Sequence, residues 1–419
     1  MNSVAMSPSD SPSSTAALLA TAQQVFVPVY QPRALVLDHG RGARLWDRDG
    51  REYIDFAAGI AVCSLGHADP ELVAALHAQA QKLWHTSNVF HNAPAIELAA
   101  ALVAASGFAQ RVFLCNSGAE ANEAAIKLAR RWATQQGRAP ERRTMLSFQG
   151  SFHGRTLATV TATAQPKYQQ GFEPLPAGFR YCAFNDLDAV ATALADGSVC
   201  AVLVEPVQGE GGVMPAAPGF LAGLRALCDR HDALLICDEI QCGMGRTGTL
   251  FAHAQDGVVP DVVTLAKALG AGFPIGAMLA GPRVAEVLQY GAHGSTFGGN
   301  PLAAAVAGVA LRRLSAPQLL AAVQRHGATL RRGLEALAVE TGVIASVRGR
   351  GLMLGAVLAE AHRGQAGAIL DHAHRAGLLL LQAGADVLRI VPPLVLDEAD
   401  IEQGLARLAQ ALRTYRAAA

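Results

Sequence analysis

Between residues 111 and 280 the chain alternates between short runs that are apolar throughout and longer stretches with apolar residues every three or four positions. The short runs, at 111–115, 144–148, 201–207, 234–238, 262–265 and 277–280, have strand length. Helical periodicity fills 120–136, 187–195 and 218–231; over 120–136 the apolar face is Ala121, Ala124, Ala125, Leu128, Ala129 and Trp132. Strands apolar on both faces that alternate with helices predict a mostly parallel sheet covered on both sides. Upstream, 71–82 and the run from Pro94 to about 105 read as helices. The segment 25–60 reads as short strands and turns, with Trp46-Asp-Arg-Asp-Gly50 as a hairpin signal. The stretch Trp84 to Phe90 has neither period and reads as an ordered loop.

After Asn300-Pro301 the texture changes to alanine- and leucine-rich helices, then 343–358, a helix near 365–376, a strand at 387–391 and a final helix. The fold class expected is α/β. A large domain at 76–304 holds the mostly parallel sheet sandwiched by helices, and a smaller α+β domain at 305–419 packs with the N-terminal segment 23–75. Residues 1–22 are rich in Ser, Ala and Pro and read as a disordered tail; with no basic residue before Arg33 they resemble neither a secretory nor a mitochondrial leader.

Composition narrows the classes of function. Hydrophobic residues make up 51% and charged ones 16%, with 34 acids balancing 34 bases, so no basic stripe points to nucleic acid or an anionic membrane. The apolar runs are too short for a membrane span. Seven cysteines without a CxxC pair indicate reduced thiols in a cytoplasmic protein. His67, His85 and His153 lack a paired spacing and read as structural hydrogen-bonders, so no metal is expected.

Of the 34 basic residues only Lys82, Lys127, Lys167 and Lys267 are lysines. Lys82 closes a helix, Lys127 follows Glu123 at helical spacing and Lys167 sits in a polar loop. Lys267 differs. It follows the apolar run 262–265 and precedes a turn containing Gly270, Gly272 and Gly276, with no acid at helical spacing. A desolvated lysine has a lowered pKa and acts as a nucleophile toward carbonyls; a lysine snorkelling to the surface is the competing reading of this stretch taken alone.

Two other stretches bear on the choice. Asn116-Ser117-Gly118-Ala119-Glu120 follows one strand and opens a helix, leaving N–H groups uncovered for a phosphate; a plain capped helix is the alternative. The run 234–238 ends in Asp238-Glu239, at the ligand-binding edge of a parallel sheet. A nucleotide hydrolase would need a Gly-Lys-Ser or Gly-Lys-Thr loop, which the chain lacks. Gly243-Met-Gly245-Arg-Thr-Gly248 fits GxGxxG after a strand, but Leu250-Phe-Ala-His opens no convincing helix, so an NAD(P)-dependent oxidoreductase stays as the minor alternative. A desolvated amine, a phosphate cradle and a strand-end acid together match pyridoxal phosphate, whose ring needs a protonated nitrogen to draw electrons from the substrate carbon.

The same stretches carry a family resemblance. Trp84-His-Thr-Ser-Asn88, Asn116-Ser-Gly-Ala-Glu-Ala-Asn122, Ser151-Phe-His-Gly-Arg-Thr156, Glu205-Pro-Val-Gln-Gly-Glu-Gly-Gly212, Cys237-Asp-Glu-Ile-Gln241, Thr264-Leu-Ala-Lys267, Gly294-Ser-Thr-Phe-Gly-Gly-Asn-Pro301 and Leu388-Arg-Ile-Val-Pro-Pro393 occur in order and at characteristic spacing. From about Val27 to Leu412 the chain resembles the acetylornithine aminotransferase family of class III, fold type I, pyridoxal-phosphate-dependent aminotransferases. The resemblance implies that Lys267 bonds the cofactor's aldehyde and carries the reacting proton, and that Asp238 pairs with the ring nitrogen. It also implies that Gln241 approaches the ring hydroxyl, that Phe152 stacks on the ring, and that Ser117, Gly118 and Ala119 hold the phosphate. Thr296 is implied to reach the phosphate from a partner subunit, hence a homodimer with shared sites.

Arg155, Glu210, Ser295 and Arg389 are the implied substrate residues. Two guanidiniums suit the two carboxylates of glutamate or 2-oxoglutarate. For N-acetylornithine, with one carboxylate, the resemblance gives that group to Arg155 and pairs Glu210 with Arg389. Relatives acting on free ornithine carry a tyrosine where this chain has Ile60-Ala-Val-Cys-Ser64, which favours an acylated substrate. N-succinylornithine and N-succinyl-diaminopimelate remain alternatives. One departure, Ala68-Asp69-Pro70 after Gly66-His67 where the family often has a His- or Cys-containing turn, touches no implied catalytic role.

Overall fold

The computed structural model describes residues 14–418. Its central sheet has seven strands: β1 (Arg111–Cys115), β2 (Thr144–Phe148), β3 (Phe179–Cys182), β4 (Val199–Val204), β5 (Leu234–Asp238), β6 (Val262–Leu265) and β7 (Gly276–Ala280). They lie in the order β1-β7-β6-β5-β4-β2-β3. β7 runs antiparallel to β1 and β6, and every other pairing is parallel.

The apolar runs are continuous because both sheet faces are covered. Along β4, Val199, Val202 and Val204 enter one core cluster while Cys200, Ala201 and Leu203 enter another. The second cluster is closed by the helix Gly118–Gln135 through Ala124, Ala125, Leu128 and Trp132. The first is closed by Leu187–Ala195 and Phe220–Arg230, with Val190, Leu194, Phe220 and Leu224 fully inside. Five strands match the sequence reading closely; Phe179–Cys182, an edge strand with its middle residues exposed, has no counterpart in it. The run 201–207 is shorter than expected, because it ends at Val204 and Val207–Gln208 forms a separate two-stranded pair with Met214–Pro215.

A second, antiparallel sheet is built from Ile344–Arg350, Met353–Leu358, Val387–Ile390 and Leu381–Gln382. The helices Pro317–Thr341, Ala366–Arg375 and Glu398–Ala418 pack with this part of the chain. Near the N-terminus, Leu37–Arg41, Arg44–Asp47 and Glu52–Asp55 form an antiparallel set around the expected hairpin. Leu378–Leu379 joins that set in parallel to Glu52–Asp55, tying the two ends of the chain together.

The tail requires a correction. Within 1–22, residues 1–13 lie outside the described residues, but Thr15–Val25 is an α-helix. Ser14 caps it by accepting from the Ala17 N–H, and the alanine- and leucine-rich interior is intrinsically helix-forming. Thr15 Oγ1 also donates to Asp49 Oδ1 at 2.8 Å. Among the described residues no helix is long and apolar enough to cross a membrane.

Candidate active site

The carboxyl ends of β1, β2, β4, β5 and β6 converge on one cavity of ≈ 430 Å³, lined by Asn116, Ser117, Gly118, Ala119, Phe152, His153, Arg155, Glu205, Asp238, Gln241 and Lys267. This is where parallel sheets place ligands. Eight of the residues singled out from sequence are therefore brought together by strand ends that lie far apart in the chain.

Lys267 enters directly after β6. Its backbone is left-handed at φ +42°, a strained conformation for a lysine, and begins a tight turn closed by Gly270 N–H to the Lys267 carbonyl at 3.1 Å. At Gly270 a Cβ would stand 1.9 Å from the Phe273 carbonyl oxygen, so only glycine fits the turn. The side chain is half-buried in the cavity wall. Burial lowers its pKa to about 8, with the Arg389 guanidinium adding to the shift and Glu210, Asp238 and Glu205 opposing it.

Asp238 closes β5 and is almost fully buried. Its Oδ2 accepts from Asn122 Nδ2 at 2.7 Å and stands 2.8 Å from His153 Nδ1, while its Oδ1 accepts from the Ile240 N–H at 3.0 Å. Asn122 is itself fixed, accepting from Thr264 Oγ1 and donating to the His153 carbonyl, both at 2.8 Å. One acid is thus held in a single orientation by groups from β6, the helix Gly118–Gln135 and the loop after β2. His153 Nε2 is buried without a hydrogen-bond partner among the described residues.

The helix Gly118–Gln135 points its N-terminus into the same cavity. Ser117 caps it, accepting from the Glu120 N–H at 3.2 Å, while the Glu120 carboxylate reaches back to the Asn116 N–H at 2.8 Å. At Gly118 a Cβ would come within 2.8 Å of Ile240 Cδ1, so the helix start approaches the segment after β5 closely and a larger residue would have to displace the Ile240 side chain. Uncovered N–H groups at a helix start suit a phosphate, the lysine suits an aldehyde, and the fixed acid suits a ring nitrogen. These residues fit pyridoxal phosphate.

Arg155 and Arg389 occupy opposite situations. Arg155 is exposed and has no carboxylate partner among the described residues; its guanidinium lies over the Tyr168 ring at 4.1 Å and the Phe152 ring at 5.5 Å. Arg389, on Val387–Ile390 of the second sheet, is buried, bonds Glu210 Oε1 through Nη1, and stands 3.3 Å from Gln241 Oε1. Arg389 and Glu210 thus lie behind Gln241, outside the lining. Ser295 is also outside it, joined through Oγ to Asn116 Nδ2 at 3.0 Å, and Thr296 is exposed on the surface.

The sequence matches the family described as aminotransferase class III over residues 26–412. The chain belongs to the class III aminotransferases. Among curated relatives, the acetylornithine aminotransferase of Xanthomonas campestris pv. campestris is 68% identical over 390 residues, covering 93% of this chain and 96% of that protein. The succinylornithine transaminase of Salmonella paratyphi A is 53% identical over 386 residues, covering 92% and 94%. Among solved structures, the N-acetylornithine aminotransferase of Stenotrophomonas maltophilia superposes with a TM-score of 0.85 at 57% identity, covering 96% of this chain and all of that one. This aminotransferase accordingly has the fold and enzyme class that its motifs imply.

The GxGxxG alternative loses its ground in the same geometry. The segment Gly243 to Gly248 is a run of turns followed by the short 3-10 helix Ala252–Asp256, so it presents no α-helix start to a pyrophosphate. Its Arg246 is 0% exposed and donates to the carbonyls of Leu352 (3.1 Å) and Pro392 and to Ser64 Oγ (3.2 Å). The loop joins three parts of the chain instead of opening toward a ligand.

Three polar residues in and behind this aminotransferase's cavity carried no chemical role in the sequence reading: His153 and Glu205 in the lining, and Asn122 buried behind Asp238. Glu205 follows β4 and accepts from the N–H groups of Phe152 (3.0 Å) and Gly209 (3.2 Å). Burial pushes its carboxyl up to about 7. The rule that singled out Asp238, an acid at the carboxyl end of an apolar strand, would have found it too.

Proposed function

We propose that this aminotransferase carries the δ-amino group of N2-acetylornithine to 2-oxoglutarate, yielding N-acetylglutamate 5-semialdehyde and glutamate, with pyridoxal phosphate as cofactor. The observation that carries the reading is the contrast between the two arginines. Arg155 is free to bind a carboxylate bidentately, whereas Arg389 is already neutralised by Glu210. A one-carboxylate amine needs only Arg155. Glutamate and 2-oxoglutarate have two carboxylates and need both, so Glu210 must release Arg389 in their half-reaction.

Pyridoxal phosphate, when bound, supplies an aldehyde that takes up the amino group and a ring that draws electrons from the substrate carbon. Ser117, Gly118 and Ala119 would hold its phosphate at the helix start, and Phe152 would cover one ring face. Asp238, braced by Asn122 and His153, would keep the ring nitrogen protonated, with Gln241 beside the ring hydroxyl. Lys267 moves the proton at the substrate carbon. Because the neutral amine is the reacting form, the rate at which cofactor-free protein combines with pyridoxal phosphate is expected to rise with pH and level off above about 8. A rise that continues toward pH 10.5 would indicate an unperturbed amine.

The reading also covers assembly and setting. The chain divides into a large unit at 76–304 and a small one at 305–419 that includes the packing of 23–75. Two copies form a dimer in which Thr296 of one subunit reaches the phosphate of the other. In support, Thr296 is exposed, and Trp84, Phe90 and Phe297 leave large apolar side chains exposed in the neighbouring segments. The seven cysteines are all unpaired, which suits the cytoplasm, and the setting proposed is arginine biosynthesis.

The test is the absorption spectrum of the purified protein with N-acetylornithine and no keto acid. A visible band that bleaches, and returns on adding 2-oxoglutarate, supports the reading; a band that bleaches only with a different amine overturns the substrate. Glu210→Ala should alter the two half-reactions unequally. It leaves Arg389 uncompensated, so kcat/KM for N-acetylornithine falls about tenfold or more while that for glutamate is held or improved. Equal effects on both would remove the switch.

A further inference from the structure

Arg155 lines a second cavity as well as the first. This one has a volume of ≈ 290 Å³, and its walls are Val29, Leu157, Val160 and Phe172, with Tyr30 and Tyr168. The Tyr168 ring packs against Arg155 at 4.1 Å and meets the Phe152 ring edge-on at 5.7 Å, so aromatic groups separate the two spaces while the guanidinium faces both. We propose that this second cavity is the acyl subsite of the active site and that it selects a small uncharged acyl group. The inference rests on the substrate reading above.

The argument follows from the shape of an N-acylated ornithine. Its carboxylate and its acylated nitrogen are bonded to the same carbon, so the acyl carbon lies within about 4 Å of the carboxylate carbon. With the carboxylate on Arg155, the three-carbon arm bearing the reacting amine runs toward Lys267 in the first cavity. The acyl group leaves the branch point on another bond and enters the second space that Arg155 borders. Glutamate, unbranched at its distal carboxylate, sends nothing there.

The wall chemistry decides which acyl group fits. Apart from Arg155, whose charge the substrate's own carboxylate occupies, the lining has no cation. Lys167, with Nζ 4.7 Å over the Tyr168 ring, is outside the lining. An acetyl methyl gains from contact with Val29, Val160 and Phe172. A succinyl group would bring a second carboxylate to an open wall (Leu157, Phe172, Val29 and Tyr30 are 57–85% exposed) that offers it no cation, so its extra length gains nothing to match the acetyl methyl's contacts.

The test compares kcat/KM of the holoenzyme for N-acetylornithine, N-succinylornithine and glutamate. The wild type is expected to favour the acetyl substrate by about tenfold or more. Phe172→Arg and Leu157→Arg, at residues 58% and 57% exposed and so tolerant of replacement, supply the missing cation from different walls. Each should shift the ratio toward the succinyl substrate by about tenfold, with kcat/KM for glutamate unchanged within about twofold. A ratio unmoved in both variants, a wild type indifferent to the acyl group, or a parallel loss with glutamate would overturn the subsite. Should the wild type turn over glutamate but neither acylornithine, the substrate reading itself fails; a failure of the subsite alone leaves acetylornithine turnover intact.

Discussion

Lys267→Ala is expected to lower kcat by about five orders of magnitude, in line with the loss of the nucleophile and proton carrier proposed for this site. No neighbouring amine can substitute, because the other three lysines lie outside the cavity. The protein should still fold. The side chain fills a cavity wall instead of the core, and its charge is repelled by Arg389. The sign of the stability effect can be worked out. A base whose pKa falls from 10.5 to about 8 on folding costs stability in full below pH 8, and that cost fades as pH rises toward 10.5. Cofactor-free Lys267→Ala should therefore melt at or above the wild-type temperature at pH 7, with the gap closing by about pH 10.5. Single-turnover spectra of the variant give the rate, and calorimetry at the two pH values gives the stability. A variant that is active within a hundredfold of wild type would remove Lys267 from the chemistry.

Asp238→Asn should be the next most severe change, lowering kcat by about three orders of magnitude. The substitution keeps the shape but removes the negative charge that would hold the ring nitrogen's proton. It also turns an acceptor into a donor opposite Asn122 Nδ2, so stability should fall by about 1–3 kcal/mol. Both effects are separable. Rates with an N-methylated cofactor analogue, whose ring nitrogen is permanently charged, should recover at least tenfold in Asp238→Asn and not in Lys267→Ala, whereas the melting temperature of the variant should stay low. Equal rates with both cofactors would mean that the acid acts only in holding the fold.

Several parts of this site were legible before any folding was considered. Lys267 stood out because an apolar strand delivers it into a glycine-bearing turn in a chain with almost no other lysines. Asp238 stood out as an acid ending an apolar run, and Ser117 to Glu120 as a capped helix start after a strand. These are local features, encoded within a few residues by burial, backbone freedom and capping. Asn122 and His153 were not legible in the same way, whereas Glu205, directly after an apolar strand, was open to the same rule as Asp238. Asn122 and His153 are single polar residues whose partners lie 31 to 116 positions away, as in Asn122 with the His153 carbonyl and with Asp238. The helix at Thr15–Val25 was missed for a different reason: its Ser- and Pro-rich approach masked an alanine–leucine run with a good cap.

The amino-acid sequence by itself determined the strands, because residues apolar on both faces can be satisfied only between two layers of helices. It pointed to Lys267 and Asp238 as the candidate amine and acid, because their types and strand-end positions admit few other uses. Tertiary structure alone decided which charges are spent and which are free. Arg389 meets Glu210 across 179 positions, while Arg155, in a chain with many arginines, meets only aromatic rings and two cavities. The physical reason is that a guanidinium looks the same in any sequence. Its worth to a substrate depends on whether folding has already supplied it with a carboxylate.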